Sequence, residues 1–306
     1  MILTVTLNTA LDITYRTAAL TPHTTNRVTE VSERPGGKGV NVARVLAALG
    51  HETVVTGFAG GRTGDALREL LAAEGPSDAL VPVAGTTRRT IAVVDESTGN
   101  TTQLNEPGPV VTPAEWAGFL TSYRGLVAEA DAVALCGSLP PGVHVGAYAE
   151  LVRVARAAGP PVLLDTSGEP LRRGIAARPD LVKPNADELA RLTGSREPLR
   201  ATRDARRRGG RSVVASLGPA GMLAATPDGT WRAAPPKAVR GNPTGAGDSA
   251  VAGLLSGYVE RLPWPERLAR AVALSAATVL APVAGEFDRR AYADLLPGVV
   301  VTEQVT

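Results

Sequence analysis

Lysine is scarce in this chain of 306 residues: only Lys38, Lys183 and Lys237 stand among 32 basic side chains. Cysteine is reduced to Cys136, so no internal disulfide framework can form, and that lone thiol reads as a small buried hydrophobe. The three histidines, His23, His51 and His144, are far apart, and no CxxC, HxxxH or HExxH spacing exists, which removes the usual zinc sites. Aromatic residues make up 4%, too few for a stacking platform on single strands. Neither charge sign is in excess: 32 basic against 30 acidic residues give a net charge of +2, so neither a nucleic acid nor a membrane is expected as partner. The longest apolar stretch, residues 268–285, is broken by Arg270, Ser275, Thr278 and Pro282 and reads as a buried core helix. Met1 leads straight into Ile2-Leu3-Thr4-Val5-Thr6-Leu7 without a basic leader, and the expectation is a reduced, cytoplasmic protein.

What is present is an alternation. Short β-branched or apolar runs (Thr53-Val54-Val55-Thr56, Asp131-Ala132-Val133-Ala134-Leu135, Pro161-Val162-Leu163-Leu164, Asp180-Leu181-Val182 and Ser212-Val213-Val214-Ala215) are separated by alanine- and leucine-rich stretches of helical period. This predicts an α/β fold with a parallel sheet wrapped by helices. Residues 11–34 and 85–105 interrupt it: they are polar, threonine-rich and strand-like, with no helix between strands. Both are expected to form a small extra sheet, a lid or oligomer interface, inserted in one domain that spans residues 1–306. The arginine-rich stretch 196–211 lacks aromatics and reads as a solvated helix face.

Two glycine turns carry the chemistry. Gly241-Asn242-Pro243-Thr244-Gly245-Ala246-Gly247-Asp248 opens a helix in which Val251, Leu254, Leu255, Tyr258 and Leu262 have the spacing of one buried face. Unsatisfied N–H groups at such a helix start form an anion pocket. Asp248 placed there is either an ordinary N-cap or a general base beside a phosphate. The second turn, Gly36-Gly37-Lys38-Gly39-Val40-Asn41, also opens a helix. It sets Lys38 against the positive end of the dipole, a penalty that an anionic ligand would reverse.

Together these turns resemble the two motifs of the phosphofructokinase-B, or ribokinase-like, carbohydrate kinase family. The similarity continues in Asn8 to Asp12, Lys183-Pro184-Asn185 with Glu188, and Ser216-Leu217-Gly218 with Gly221. The strings Asn105-Glu106-Pro107-Gly108-Pro109 and Gly137-Ser138-Leu139-Pro140-Pro141-Gly142 resemble the hexose-phosphate kinase branch, which holds 1-phosphofructokinases and tagatose-6-phosphate kinases. The resemblance implies a three-layer αβα core with a mostly parallel sheet and a discontinuous β-sheet lid.

It also implies roles. Asp248 would be the general base, with Gly245, Ala246 and Gly247 holding the transferring phosphoryl group. Asp12, Gly36, Gly37, Lys38, Asn41, Arg88 and Ser138 would surround the sugar phosphate, with Arg88 on its existing phosphate. The residues alone leave open whether Arg88 or Arg89 faces the substrate. Lys183, Asn185, Ser216, Gly218, Gly221 and Thr244 would bind the nucleotide, ATP. Asn185 and Glu188 would organise Mg²⁺ through water; the alternative for Glu188 is a simple first-turn acid favoured by the dipole. Adenine contacts would fall in the loosely matching stretch 275–286. The implied reaction is ATP-dependent phosphorylation of a ketohexose phosphate: fructose 1-phosphate to fructose 1,6-bisphosphate, with tagatose 6-phosphate and fructose 6-phosphate as alternatives. A non-catalytic sugar-phosphate sensor on the same fold is the reading from another class. A dinucleotide oxidoreductase is excluded because no GxGxxG follows an early strand. The bare strand faces of the lid predict a homodimer.

Overall fold

In the computed structural model, residues 1–281 and 286–304 are described. The central sheet runs, from one edge to the other, through Val300–Glu303, Thr230–Ala234, Met222–Ala225, Ser212–Ser216, Leu181–Val182, Val162–Asp165, Ala132–Cys136, Ile2–Thr6, Thr53–Ala59 and Ser77–Asp78. Val81–Pro82 adds to Thr53–Ala59 beyond Ser77–Asp78. From Ser212–Ser216 to Ser77–Asp78 every pairing is parallel; the three strands at the other edge are antiparallel.

Alternation along the strands decides which layer each side chain enters. Val133 and Leu135 join Leu3, Val5 and Leu164 under the helices Pro113–Ala128, Ala147–Ala158 and Gly168–Ala176. Ala132, Ala134 and Cys136 face the opposite layer, against the helices Lys38–Ala48, Ala246–Val259 and Trp264–Leu280. Small residues on that side let the helix Ala246–Val259 sink in. Its residues 248–257 are buried on every side, where the spacing predicts a single buried face. The reason is close packing on Trp264–Leu280: a Cβ at Gly253 would lie 2.8 Å from the Ala271 Cα. The core helix expected over residues 268–285 starts earlier, at Trp264, and ends at Leu280; its last expected turn, 282–285, lies outside the described residues. The arginine-rich stretch forms the helix Pro198–Arg207, which buries Ala201, Thr202 and Ala205 and leaves Arg200 and Arg207 in solvent against Asp204.

A separate four-stranded sheet, ordered Val28–Gly36, Ala10–Thr17, Arg88–Asp95, Thr101–Asn105, comes from the two segments that broke the alternation. Its register sorts its residues cleanly. Asp12 pairs with Thr90, Ala10 with Arg88, Thr90 with Asn105 and Ala92 with Gln103, so these residues share one face. Ile13, Tyr15, Val31, Ile91, Val93 and Leu104 share the other. No helix among the described residues is long and apolar enough to cross a membrane.

Candidate active site

The parallel strands deliver their carboxyl ends to one rim. Thr6 is in register with Cys136, and Cys136 with Asp165; Lys183 follows Val182, and Asn185 bridges to Ser216. A cavity of about 1030 Å³ opens there, between this rim and the small sheet. Such a crevice beyond the strand ends is where α/β sheets bind ligands.

Three helix N-termini meet at this cavity: Lys38–Ala48, Ala186–Thr193 and Ala246–Val259. Each contributes free N–H groups and the positive end of its dipole. The last of them begins at Gly245, whose φ of 84° is left-handed and suits glycine. Gly245 caps without a side-chain bond, and Asp248 sits three residues further on, inside the first turn. Its carboxylate is therefore not spent on capping: Oδ2 accepts from Asn41 Nδ2 at 2.9 Å. Burial pushes the Asp248 carboxyl up to about 6, opposed mainly by Lys38. Thr244 donates its N–H to Asn242 Oδ1 at 3.0 Å, which shapes the turn before it.

Lys38 and Lys183 both reach the same oxygen, Asp165 Oδ1, at 3.5 and 3.6 Å. Lys38 is thus no free surface lysine, and the Asp165 carboxylate beside it raises its basicity further. The Lys183 ammonium is 3.6 Å from where a Cβ at Gly247 would stand, beside the start of this helix. Lys237 lies exposed on a loop. Gly37, Ser216, Gly218, Gly221 and Ala246 line the cavity as well.

Asn185 and Glu188 form a reciprocal capping box: Asn185 Oδ1 accepts from Glu188 N and Glu188 Oε2 from Asn185 N, both at 2.9 Å. The structural half of the expectation for Glu188 is met in this way. Its second oxygen, Oε1, keeps no protein partner among the described residues and lines the cavity with Asn185. Among the described residues no group of three or more His, Cys, Asp or Glu can cage a metal. That donor set fits Mg²⁺, which retains water and rides on phosphates rather than in an all-protein cage.

On the small sheet, Asp12, Thr90 and Arg88 face the cavity. Burial pushes the Asp12 carboxyl up to about 6, with the Thr90 hydrogen bond and the Arg88 charge pulling against it. A Cβ on Gly36 would fall 2.2 Å from Asp12 Cγ, so glycine there makes room for that carboxylate. Arg88 donates from Nε to the Asn8 carbonyl at 3.3 Å and from Nη1 to the Glu106 carbonyl at 3.2 Å. Arg89 points to the other face and is occupied by Glu106 Oε1 at 2.6 Å. Ser138 and Gly36 do not line the cavity. Ser138 is exposed and its Oγ accepts from Asn8 Nδ2 at 3.1 Å. Asn8 also donates to the Pro107 carbonyl at 3.1 Å, so the Asn-Glu-Pro-Gly-Pro and Gly-Ser-Leu-Pro-Pro-Gly turns are tied together behind Arg88. Of the stretch expected near adenine, Ser275, Ala276 and Val279 line the cavity; residues 282–285 lie outside the described residues.

The residue that the expectations missed is Asp165. It ends the strand Val162–Asp165, is 1% exposed, and lies on the cavity wall. An acid terminating a run of buried apolar residues was the available signal.

A mostly parallel sheet between helical layers, with a detached small sheet facing its carboxyl rim, defines a ribokinase-like α/β protein. The profile described as "pfkB family carbohydrate kinase" matches residues 5–288. The sequence is 39% identical over 289 residues to the 1-phosphofructokinase of Rhodobacter capsulatus, covering 92% of each chain. It superposes on Escherichia coli phosphofructokinase-2 in complex with potassium with a TM-score of 0.90 at 30% identity, covering 97% of this chain and 98% of that one. For the same enzyme in complex with fructose-6-phosphate the values are 0.87 and 32%, with coverages of 96% and 98%. The chain belongs to the pfkB family of carbohydrate kinases. It is a sugar kinase, transferring phosphate to an alcohol.

Proposed function

We propose that this kinase phosphorylates fructose 1-phosphate to fructose 1,6-bisphosphate with ATP, Asp248 acting as the general base. The observation that carries the reading is a buried carboxylate, uncommitted to capping, at a helix start flanked by two lysines and opposed across the cavity by an arginine. Phosphoryl transfer asks the protein for positioning and charge neutralisation more than for covalent chemistry. Asp248 takes the proton of the acceptor hydroxyl as its oxygen attacks the γ-phosphorus, and ADP departs in line. Gly245, Ala246 and Gly247 present backbone N–H groups to the transferring group, while Lys183, Ser216, Gly218, Gly221 and Thr244 border the nucleotide. When bound, Mg²⁺ would neutralise the phosphates, held through water by Asn185 and Glu188. Asp12, Gly37, Lys38 and Asn41 orient the sugar, and Arg88 grips its existing phosphate. Ser138 acts only through Asn8, and Gly36 through Asp12.

Arg88 argues for a sugar phosphate over a free sugar, and the similarity to a 1-phosphofructokinase favours fructose 1-phosphate. Coupled ADP-release assays with fructose 1-phosphate, fructose 6-phosphate, tagatose 6-phosphate and free fructose test the reading. The highest kcat/KM is expected with fructose 1-phosphate; activity on free fructose alone would overturn the role of Arg88. Binding of these sugar phosphates without turnover would instead identify a sensor.

Gly36→Ala should act through Asp12. The carboxylate can rotate away from the new methyl, so folding survives but its bond to Thr90 and its place in the cavity are lost. KM for the sugar phosphate is expected to rise about tenfold, the weight of one hydrogen bond to a charged group, with KM for ATP little changed. Steady-state kinetics with each substrate varied in turn read this out.

The outer face of the small sheet, a lid in this reading, bears Tyr15, Val31, Ile91, Val93 and Leu104, with Val31 56% and Leu104 58% exposed. We infer that a second copy of the chain covers it. Light scattering at micromolar concentration should give twice the 31.5 kDa chain mass. The double variant Val31→Glu with Leu104→Glu should scatter as a monomer, since paired like charges oppose closure of that face. A monomeric parent protein would refute the dimer.

A further inference from the structure

Among the acids that line this cavity, Asp165 has no role assigned above, and it stands fully buried in the wall. Repulsion from an incoming phosphate would make it a liability unless it answers a need of the empty site. The need is visible in the neighbours. Lys38 is the first residue of its helix, and Lys183 lies against the start of another, so both ammoniums face positive dipole ends. Lys183 is in addition only 4% exposed. A buried ammonium without a counter-charge is costly and tends to shed its proton.

We propose that Asp165 is a positioning residue for phosphoryl transfer: its carboxylate is the shared counter-ion that holds the Lys38 and Lys183 ammoniums side by side at the two helix starts. This rests on the kinase reading above and deepens it. The geometry is suited to the task. Both ammoniums approach the same Oδ1, at 3.5 and 3.6 Å, longer than the 2.7–2.9 Å of a closed charged hydrogen bond. Each lysine is therefore held in place and keeps its donors for a phosphate. The other oxygen, Oδ2, is buried without a partner, so the carboxylate is not anchored by a competing network. Its backbone is fixed instead: the Asp165 carbonyl accepts from Gly137 N at 2.9 Å.

The charged and titratable groups around Asp165 come from every element that packs there. They are Lys38 and Lys183, the acids Asp248 and Glu188, and the buried Cys136 and Tyr148, both of which burial keeps protonated. Asp165 acts on two of them in the same sense. It is the largest upward influence on Lys38 and it helps to raise Asp248. Neutralising Asp165 should lower both.

The test compares the pH dependence of kcat/KM for the full-length enzyme and its Asp165→Asn variant, with fructose 1-phosphate and saturating MgATP. A structural role would lower the curve without moving it. The proposal expects a loss of about tenfold or more at neutral pH and a displacement of the active window. The acid limb, set by Asp248, should move to lower pH, because Asp165 helps to hold the Asp248 carboxyl up. Ionisation of the substrate phosphates is common to both proteins and cancels in the comparison. An unmoved window overturns the proposal. Urea unfolding of Asp165→Asn, Lys183→Gln and the double variant gives a second measure, independent of turnover. The double variant should be more stable than the sum of the single losses predicts, because the unpaired ammonium is then gone; simple additivity overturns the pairing. Absence of turnover in the parent would count against the kinase reading, and this stability cycle would still decide the role of Asp165.

Discussion

Asp248→Asn is expected to lower kcat by about 10²–10⁴-fold while leaving both KM values within a few-fold of the parent. The amide is nearly isosteric, and its oxygen can still accept from Asn41 Nδ2, so the helix start and the lysines keep their places. What disappears is a proton acceptor beside the attacking hydroxyl. What remains is positioning by the glycine turn and the cations, which accounts for residual turnover. Removing a negative charge next to Lys38 and Lys183 should also tighten ATP slightly rather than weaken it. Single-turnover measurement with saturating substrates isolates the chemical step. Near-parent turnover in D248N would show that the acceptor proton leaves by another route. The same carboxylate sets the acid side of the parent profile. With its carboxyl pushed up to about 6, Asp248 binds a proton in the folded protein where an ordinary aspartate would not, so activity should fall as pH drops through that value. Stability runs the other way. The folded state holds the extra proton between about 4 and 6, so this group favours folding toward the acid end of that interval and opposes it as pH rises.

The parts of this molecule that were legible in its sequence are those in which a local constraint leaves a local mark. A left-handed turn needs Gly245, a helix start needs its preceding turn, and buried parallel strands need uninterrupted apolar runs; each is written within ten residues. The small sheet was legible because period-two, threonine-rich segments stand out against helical stretches. The antiparallel strands Met222–Ala225 and Thr230–Ala234 left no such mark, since Met222-Leu223-Ala224-Ala225 is as compatible with helix as with strand. Asp165 was hidden for a different reason. Its meaning depends on Lys38 and Lys183, 127 and 18 residues away in sequence, arriving at one oxygen, and only the sheet order brings them there. Ser138 is the converse case: its motif was legible, but a motif does not say which member lines the cavity, and the Ser138 hydroxyl accepts from Asn8 outside that lining.

The largest effect on substrate choice is expected from Arg88→Leu. The guanidinium is partly buried on the cavity face of the small sheet, and burial pulls its basicity down without neutralising it. Two of its five N–H donors are committed to the Asn8 and Glu106 carbonyls, which fix its plane. The remaining donors can make a forked contact with a phosphate. A hydrogen bond to a charged group contributes about 1.5–3 kcal/mol, so KM for the sugar phosphate should rise by roughly 10–150-fold. KM for ATP should hold, because the nucleotide lies toward Lys183 and the glycine turn. The discrimination between sugar phosphate and free sugar should collapse by the same factor, since the free sugar never used that contact. Arg88→Lys should recover only part, a point charge replacing a fork. Arg89→Leu is the matched control on the opposite face, where the lost partner is the exposed Glu106. Equal losses in R88L and R89L would mean that charge near the small sheet, and not a directed contact, governs affinity. R88L carries one further signature. Losing the Arg88 charge removes one of the influences that hold Asp12 down, so the acid limb for sugar-phosphate use should move to higher pH, opposite in direction to the shift expected for Asp165→Asn.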